Sequence, residues 1–105
     1  MKKILYMVLP CYNEEEVLPE TAQQLKNKLS LLIKNDKISK KSKIMFVNDG
    51  SKDKTWDIIE RLCKEDSIFA GVKLSRNRGH QNALLAGLMV AKEKADIVIS
   101  MDADL

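Results

Sequence analysis

Short apolar runs alternate with longer amphipathic segments along the whole sequence, and this alternation limits the folds open to the chain more than any other feature. Four runs have the length and the apolar or β-branched content of strands: residues 4–9, 42–47, 68–74 and a run that starts at residue 97. Between them, apolar residues recur every three or four positions in residues 14–35, 55–65 and 80–95, as on one face of a helix. Asn13 is the predicted N-cap of the first helix, and Gly87 predicts close packing of the third helix on a strand.

The order of these segments predicts an α/β fold. A β-α-β-α-β-α-β pattern with helices of crossover length is typical of a doubly wound, Rossmann-like parallel sheet with helices on both faces. We expect the strand order 3-2-1-4, because it places the last strand beside the first, where the winding reverses. The 105 residues, 45% hydrophobic and 31% charged, have the size and composition of one globular domain, residues 1–105.

Composition and charge exclude several classes of protein. No apolar run reaches the roughly 20 residues that span a bilayer, and the apolar segment after Lys2 and Lys3 is too short for a signal peptide, so we expect a cytoplasmic chain. Two cysteines are too few for a disulfide framework or a zinc site. The net charge of +3 is mild, and the lysine-rich residues 26–43 lack the arginines and aromatic residues of a nucleic-acid surface. We therefore expect no nucleic acid partner and interpret this stretch as solvated.

The polar residues that stand out lie where each predicted strand ends. They are Tyr12, Asn13 and Glu14 after the first strand, Asn48 and Asp49 after the second, Arg76 and Asn77 after the third, and Asp102 and Asp104 after the fourth. Because the carboxyl ends of parallel strands meet at one edge of the sheet, we expect these side chains to converge there. The sequence therefore predicts a ligand-binding site at this edge.

Asp102 and Asp104 are the candidate metal ligands. Side chains two residues apart in an extended segment project to the same side, so the pair offers two hard oxygen donors to a divalent cation that carries phosphate oxygens. An isolated pair of this kind is more often a solvated turn, but here three other strand ends are polar as well. The sequence has no G-x-G-x-x-G after its first strand and no G-x-x-x-x-G-K-[ST], which argues against a dinucleotide oxidoreductase and a P-loop enzyme. A bound metal would then meet the phosphate charge, while Asp49 accepts hydrogen bonds from a base or ribose and Tyr12 flanks the base.

Four segments resemble the successive motifs of glycosyltransferase family 2 in both order and spacing. They are PCYNEE at residues 10–15, VNDGSKDKT at 47–55, SRNRGHQNALLAGL at 75–88 and DADL at 102–105. Within that family they are most similar to the polyprenyl-phosphate sugar transferases, the branch of dolichol-phosphate mannosyltransferase and bactoprenol glucosyltransferase. The resemblance extends over essentially all 105 residues.

The resemblance implies a GT-A fold, a nucleotide-diphosphate sugar donor and a Mg²⁺ or Mn²⁺ cofactor. A UDP-sugar is favoured and GDP-mannose is the alternative. The reaction implied is inverting transfer to polyprenyl phosphate for cell-envelope glycan or glycolipid synthesis, at the cytoplasmic face of the membrane. By position, the nucleotide-sugar residues are Pro10, Tyr12, Glu14, Val47, Asp49, Arg76, Asp102 and Ala103, and the metal ligands are Asp102 and Asp104.

The chain departs from the family pattern in two ways. Asn48 stands where many relatives carry a first aspartate, and no residue matches the family's catalytic base, which would lie beyond Leu105 with the lipid-phosphate acceptor half. We therefore expect a donor-binding part that transfers no sugar alone and whose exposed strand edge permits homo-oligomers. A non-catalytic nucleotide-sugar or metal-binding module is the alternative. A receiver-like signalling domain is disfavoured, because its paired acids would follow the first strand, where this chain has Pro10, Cys11 and Tyr12.

Overall fold

The computed structural model of the chain describes residues 2–103. Every predicted element is present and in the predicted order. The elements are β1 (Leu5–Cys11), α1 (Leu18–Lys34), β2 (Lys43–Asn48), α2 (Thr55–Glu65), β3 (Phe69–Lys73), α3 (His80–Ala91) and β4 (Ile97–Ser100).

The four strands form one parallel sheet in the order β3-β2-β1-β4, which confirms the predicted topology. β1 lies inside the sheet, where Leu9 is paired with Phe46 of β2 and Val8 with Ser100 of β4. The carboxyl ends of β1 and β4 are therefore neighbours. This arrangement brings Pro10 and Asp102 to the same edge, as predicted for a switch point.

The sheet is covered on both faces, as expected for a doubly wound fold. On one face, alternate residues of β1 and β2 pack under α1 and α2 in a core that includes Leu9, Phe46 and Leu25. On the other face, the intervening residues, among them Val8 and Val47, pack under α3. The inner strands β1 and β2 are almost entirely buried, which accounts for their continuous apolar sequences.

Gly87 allows α3 to approach the sheet closely. A Cβ atom at this position would lie 2.6 Å from Val8 Cγ1 and 2.7 Å from Val47 Cγ2, well inside van der Waals contact. The interpretation of Gly87 as a packing residue is confirmed.

The predicted N-cap role of Asn13 is wrong. α1 begins only at Leu18, and residues 14–17 form a turn before it. Asn13 adopts a left-handed conformation with φ of 53°, and its side-chain oxygen accepts a hydrogen bond from Lys52 N–H at 2.9 Å. A tertiary contact with the next loop has therefore replaced the local cap.

Two element ends also differ from expectation. β1 continues through Pro10 to Cys11, because Pro10 lies beyond the last β1–β4 pair and its missing N–H costs no ladder hydrogen bond. α3 ends at Ala91 instead of near Ala95. A terminal turn follows it, in which the N–H groups of Lys94 and Ala95 both donate to Ala91 O. Within residues 2–103, none of the helices is long and apolar enough to cross a membrane.

Candidate functional site

A cleft of about 370 Å³ opens at the carboxyl edge of the sheet. Side chains from all four strand ends surround it, as the sequence predicts. Its lining residues are Pro10, Cys11, Tyr12, Glu14, Asp49, Asn77, His80, Asp102 and Ala103. Six of the eight predicted nucleotide-sugar residues therefore lie together in one cleft.

The loop after β1 forms one wall of the cleft. Tyr12 is 41% exposed, so its ring is available to a ligand. Cys11 lies beneath it and is buried. Burial, together with the nearby carboxylate of Glu14, raises the pKa of the Cys11 thiol to about 12. The thiol is therefore protonated at neutral pH, which fits a packing residue and not a nucleophile.

Three successive backbone N–H groups of this first loop are held by side chains of the loop after β2. Asn13, Glu14 and Glu15 donate to Ser51 Oγ, Thr55 Oγ1 and Asp53 Oδ2 at 3.0, 2.8 and 3.2 Å, respectively. We call these six residues the loop clasp. In dinucleotide-binding folds, N–H groups at this place cradle a pyrophosphate. Here they already have protein acceptors, which agrees with the missing glycine-rich sequence.

Asp49 forms the floor of the cleft and links three loops. Only 2% of the residue is exposed. Its Oδ1 accepts a hydrogen bond from Arg78 N–H at 2.7 Å, its Oδ2 accepts one from Asn77 Nδ2 at 3.3 Å, and its own N–H donates to Cys11 O at 2.8 Å. The carboxylate is thus held before any ligand arrives. Asn48 is buried, and its side-chain oxygen accepts a hydrogen bond from Ser51 N–H at 3.3 Å, so it shapes the turn.

Asp102 stands on the opposite wall, beside His80 at the start of α3. The distance from Asp102 Oδ1 to His80 Nε2 is 3.8 Å, and 74% of the Asp102 side chain is exposed. The backbone that follows is anchored, because buried Thr21 of α1 donates its hydroxyl to Ala103 O at 2.6 Å. A firmly held backbone therefore presents a solvent-accessible carboxylate to the cleft.

The metal prediction rests on two residues, of which one falls outside the described part of the chain. Asp104 is that residue. Within residues 2–103, no three His, Cys, Asp or Glu side chains are grouped closely enough to hold an ion. An exposed carboxylate oxygen at a strand end is nevertheless the donor type that Mg²⁺ and Mn²⁺ prefer, so Asp102 fits the predicted cofactor.

Two predicted residues lie away from the cleft lining. Val47 is fully buried and faces α3, and Arg76 is exposed on the loop after β3. Asn77 lies in the cleft, as expected from its place after the third strand, although it was not among the eight predicted nucleotide-sugar residues; Cys11 and His80 were not predicted to line the site. Asn77 and His80 belong to the same motif as Arg76, so the sequence marked the loop. It could not tell which side chains of that loop reach the cleft.

A larger cavity of about 790 Å³ lies at the opposite edge of the sheet. Its rim includes Lys2, Lys3, Lys40 and Lys41, together with Asp36 and Asp96. It takes residues from before β1 and β4 and from the α1–β2 loop, whereas ligands of doubly wound sheets bind beyond the carboxyl ends of the strands. We therefore assign the functional site to the smaller cleft.

Comparison with known proteins identifies the family. The family model described as Glycosyl transferase family 2 matches residues 6–105. An uncharacterized glycosyltransferase, YkoT of Bacillus subtilis (strain 168), is 51% identical over 102 residues, which make up 97% of this chain and 30% of that protein. Undecaprenyl-phosphate 4-deoxy-4-formamido-L-arabinose transferase of Shewanella sediminis (strain HAW-EB3) is 37% identical over 100 residues, or 94% of this chain and 28% of that protein. The chain thus spans about 30% of the length of these curated relatives.

Solved structures agree on the fold. The mannosyltransferase PcManGT from Pyrobaculum calidifontis, in complex with GDP-Man and Mn²⁺, superposes with a TM-score of 0.80 at 23% identity, over 99% of this chain and 28% of that one. S. aureus TarS 1-349 in complex with UDP gives a TM-score of 0.70 at 24% identity, over 96% of this chain and 27% of that one. The 3-2-1-4 parallel sheet with three helices is the Rossmann-like arrangement of a GT-A fold. The chain belongs to glycosyltransferase family 2.

Proposed function

We propose that the cleft binds the nucleotide-diphosphate sugar donor of an inverting glycosyltransferase whose acceptor is polyprenyl phosphate. The observation that carries the proposal is the meeting of Tyr12, Asp49 and Asp102 in one cleft beyond the ends of β1 and β4. An aromatic ring, a buried hydrogen-bond acceptor and an exposed carboxylate suit the three parts of such a ligand: base, ribose and diphosphate.

The nucleoside binds between Tyr12 and Asp49. The half-exposed Tyr12 ring offers a flat apolar surface to a base, and the Asp49 carboxylate accepts hydrogen bonds from a base or ribose. Asp49 keeps acceptor capacity for a ligand, because a carboxylate has about four lone-pair sites and protein groups use few of them. Pro10 and Glu14 complete this side of the cleft, and Val47 supports it from the core.

The diphosphate binds at the other wall, through Mg²⁺ or Mn²⁺ held by Asp102 and Asp104. A cation bound there would offset the negative charge of the nucleoside diphosphate as it leaves. Backbone N–H groups of residues 13–15 are used by the loop clasp, so we assign the diphosphate to the metal site and to Ala103. Arg76 lies outside the cleft lining, and its contact with the diphosphate stays a prediction from the family resemblance. The Mn²⁺ in the PcManGT complex supports the choice of ion.

The relatives support a choice of donor and acceptor without deciding between donors. We infer a UDP-sugar first and GDP-mannose second; UDP and GDP-Man are the ligands of the two solved structures compared above. The name of the Shewanella relative supports undecaprenyl phosphate or a similar lipid phosphate as acceptor. The cytoplasmic membrane face and a role in cell-envelope synthesis rest on the family resemblance alone. Residues 1–105 supply the donor-binding part of the GT-A domain, and no described residue is assigned as the catalytic base.

Calorimetry of the purified chain with UDP, GDP and ADP, in Mn²⁺ and in chelator, tests the proposal. We expect UDP or GDP to bind more tightly than ADP and only when the metal is present. Asp102→Asn should remove the metal dependence, whereas Asp57→Asn, an exposed carboxylate in the first turn of α2, should keep it. A preference for ADP, or equal affinity in chelator, would contradict the assignment.

An assay with radiolabelled UDP-sugar and polyprenyl phosphate distinguishes a chain that only binds the donor from one that also transfers the sugar. We expect the 105-residue chain to bind donor without transferring sugar. Transfer needs a base within about 3 Å of the attacking oxygen, or an ionised acceptor, and groups that orient the acceptor opposite the diphosphate. Turnover by this chain would show that its residues suffice for sugar transfer as well as for donor binding.

A further inference from the structure

Asp53 lies outside the cleft lining, yet its carboxylate accepts three hydrogen bonds at the centre of the loop clasp. Oδ1 accepts from Thr55 N–H at 2.9 Å and from the Thr55 hydroxyl at 2.5 Å. Oδ2 accepts from Glu15 N–H at 3.2 Å. One carboxylate therefore joins the start of α2 to the loop that precedes α1.

The Thr55 hydroxyl extends this connection toward the cleft. Its single hydrogen is donated to Asp53, so its oxygen is left to accept the Glu14 N–H at 2.8 Å. Thr55 is fully buried, and this geometry is shielded from competing water. The position of Glu14, which lines the cleft, thus depends on the Asp53 carboxylate through one intervening hydroxyl.

The electrostatics agree with a carboxylate that is ionised in the folded chain. Partial burial alone would raise the pKa of Asp53, but hydrogen bonds from the Thr55 hydroxyl, Thr55 N–H and Glu15 N–H outweigh it and hold the pKa below its usual value. Hydrogen bonds to an ionised acceptor are stronger than neutral ones. Asn13 of the same segment adopts a left-handed conformation with φ of 53°, which asparagine tolerates better than most non-glycine residues.

We propose that Asp53 is a positioning residue for the nucleotide site. It holds Tyr12 and Glu14 in the conformation that binds the donor. This inference rests on the proposed function, because it concerns the same cleft. Asp53 does not touch the ligand; it acts through Thr55 and the backbone of residues 14 and 15. Losing it lets the first loop move, so binding must then order a mobile segment and the affinity falls.

Four variants test the proposal by nucleotide affinity and by amide hydrogen exchange of the ligand-free chain. Asp53→Asn replaces one carboxylate oxygen, which accepts a hydrogen bond, with an amide N–H₂ that can only donate. Thr55→Val removes the hydroxyl at nearly constant volume. We expect each to weaken UDP or GDP affinity about tenfold and to speed exchange at the amides of residues 13–15 about tenfold. Asp57→Asn alters an exposed neighbour in the same helix and should behave as wild type. Thr55→Ser loses a buried methyl group but retains the hydroxyl, so it should weaken affinity and speed exchange much less than Thr55→Val.

The two readouts distinguish the possible failures. Unchanged exchange in Asp53→Asn and Thr55→Val would overturn the clasp, whatever the wild-type chain binds. Faster exchange with unchanged nucleotide affinity would reduce Asp53 to a structural residue and overturn the positioning role. A wild-type chain that binds no nucleotide would refute the proposed function and, with it, the positioning role. Amide exchange at residues 13–15 would still show whether the loop clasp holds the first loop. If Asp53→Asn does not fold, the Thr55→Val and Thr55→Ser pair gives the decision alone.

Discussion

Two carboxylates of the cleft, Asp49 and Asp102, are built in opposite ways. Asp49 is 2% exposed, and its oxygens accept hydrogen bonds from Arg78 N–H and the Asn77 side chain. The Asp102 side chain is 74% exposed, and its Oδ1 lies 3.8 Å from His80 Nε2. One carboxylate is part of the folded framework, whereas the other faces solvent.

The difference matches the two ends of the ligand that we propose. A base and ribose are recognised by groups fixed before binding, which lowers the entropy lost when the complex forms. A metal and diphosphate instead need an exposed oxygen donor that can move into a coordination sphere; Asp102 is exposed, whereas Asp49 is buried and fixed by Arg78 N–H and the Asn77 side chain. The contrast also separates stability from binding, because a substitution at Asp49 should affect both and one at Asp102 only binding.

The largest loss of stability is expected from a substitution at Gly50, which follows Asp49 and lies where the loop after β2 meets the loop after β3. Gly50 has a φ of 64°, and a Cβ there would lie 2.2 Å from Asn77 N. Gly50→Ala should therefore cost about 3 kcal/mol of unfolding free energy, from overlap with backbone and from strain. Gly79 has a φ of 93° but open space around it. Gly79→Ala should cost about 2 kcal/mol from backbone strain alone, because φ of 93° with ψ of 152° is a conformation that essentially only glycine adopts. Urea denaturation measures both variants, and equal losses would refute the close contact at Gly50.

A smaller effect is expected when the two carboxylates are each changed to an amide. Asp49→Asn should lower the unfolding free energy by about 2 kcal/mol, because the new amide N–H₂ meets buried donors where an acceptor is needed. Asp102→Asn should change it by less than about 0.5 kcal/mol, since the site is exposed. Urea denaturation monitored by Trp56 fluorescence measures both. The comparison between the two sites fails if Asp102→Asn proves the more destabilising.

The smallest effect is a pH dependence at Asp53. Its folded-state pKa lies below the usual value, so its hydrogen bonds contribute stability above the unfolded pKa, near 4, and that contribution is lost as pH falls through the folded pKa. The difference in unfolding free energy between wild type and Asp53→Asn should therefore be constant near neutral pH and shrink below about pH 4. If this difference in unfolding free energy did not change with pH, the assignment of an ionised Asp53 carboxylate to the loop clasp would be contradicted.

Much of the fold was predictable because it depends on local patterns. Buried inner strands give continuous apolar runs, and helices give a repeat of three to four residues; the strand order then follows from bringing Asp102 next to Pro10. Gly87 was interpretable for the same reason, since a glycine within a helix indicates a close packing neighbour.

The parts that sequence reasoning missed depend on contacts between loops. Asn13 has the residue type of an N-cap, but its oxygen accepts from Lys52, which is 39 positions away. Arg76 and Asn77 are adjacent in one motif, and only the approach of Gly50 decides that Asn77 reaches Asp49 and the cleft. The metal site stays a prediction, because Asp104 falls outside residues 2–103. So does association through β4, where Ile97 and Ile99 are each 43% exposed.

Nuclear magnetic resonance of the ¹⁵N-labelled chain, titrated with UDP or GDP and Mg²⁺, tests the assignment of the cleft most directly. We expect amide shifts to concentrate at residues 12–15, 49, 77–80 and 102–103, and we expect substoichiometric Mn²⁺ to broaden signals around Asp102 first. Residues 2–4 and 36–41, around the lysine-rich cavity at the other edge, should stay unchanged. Shifts centred on those lysines, or broadening that does not include Asp102, would contradict the location of the donor site.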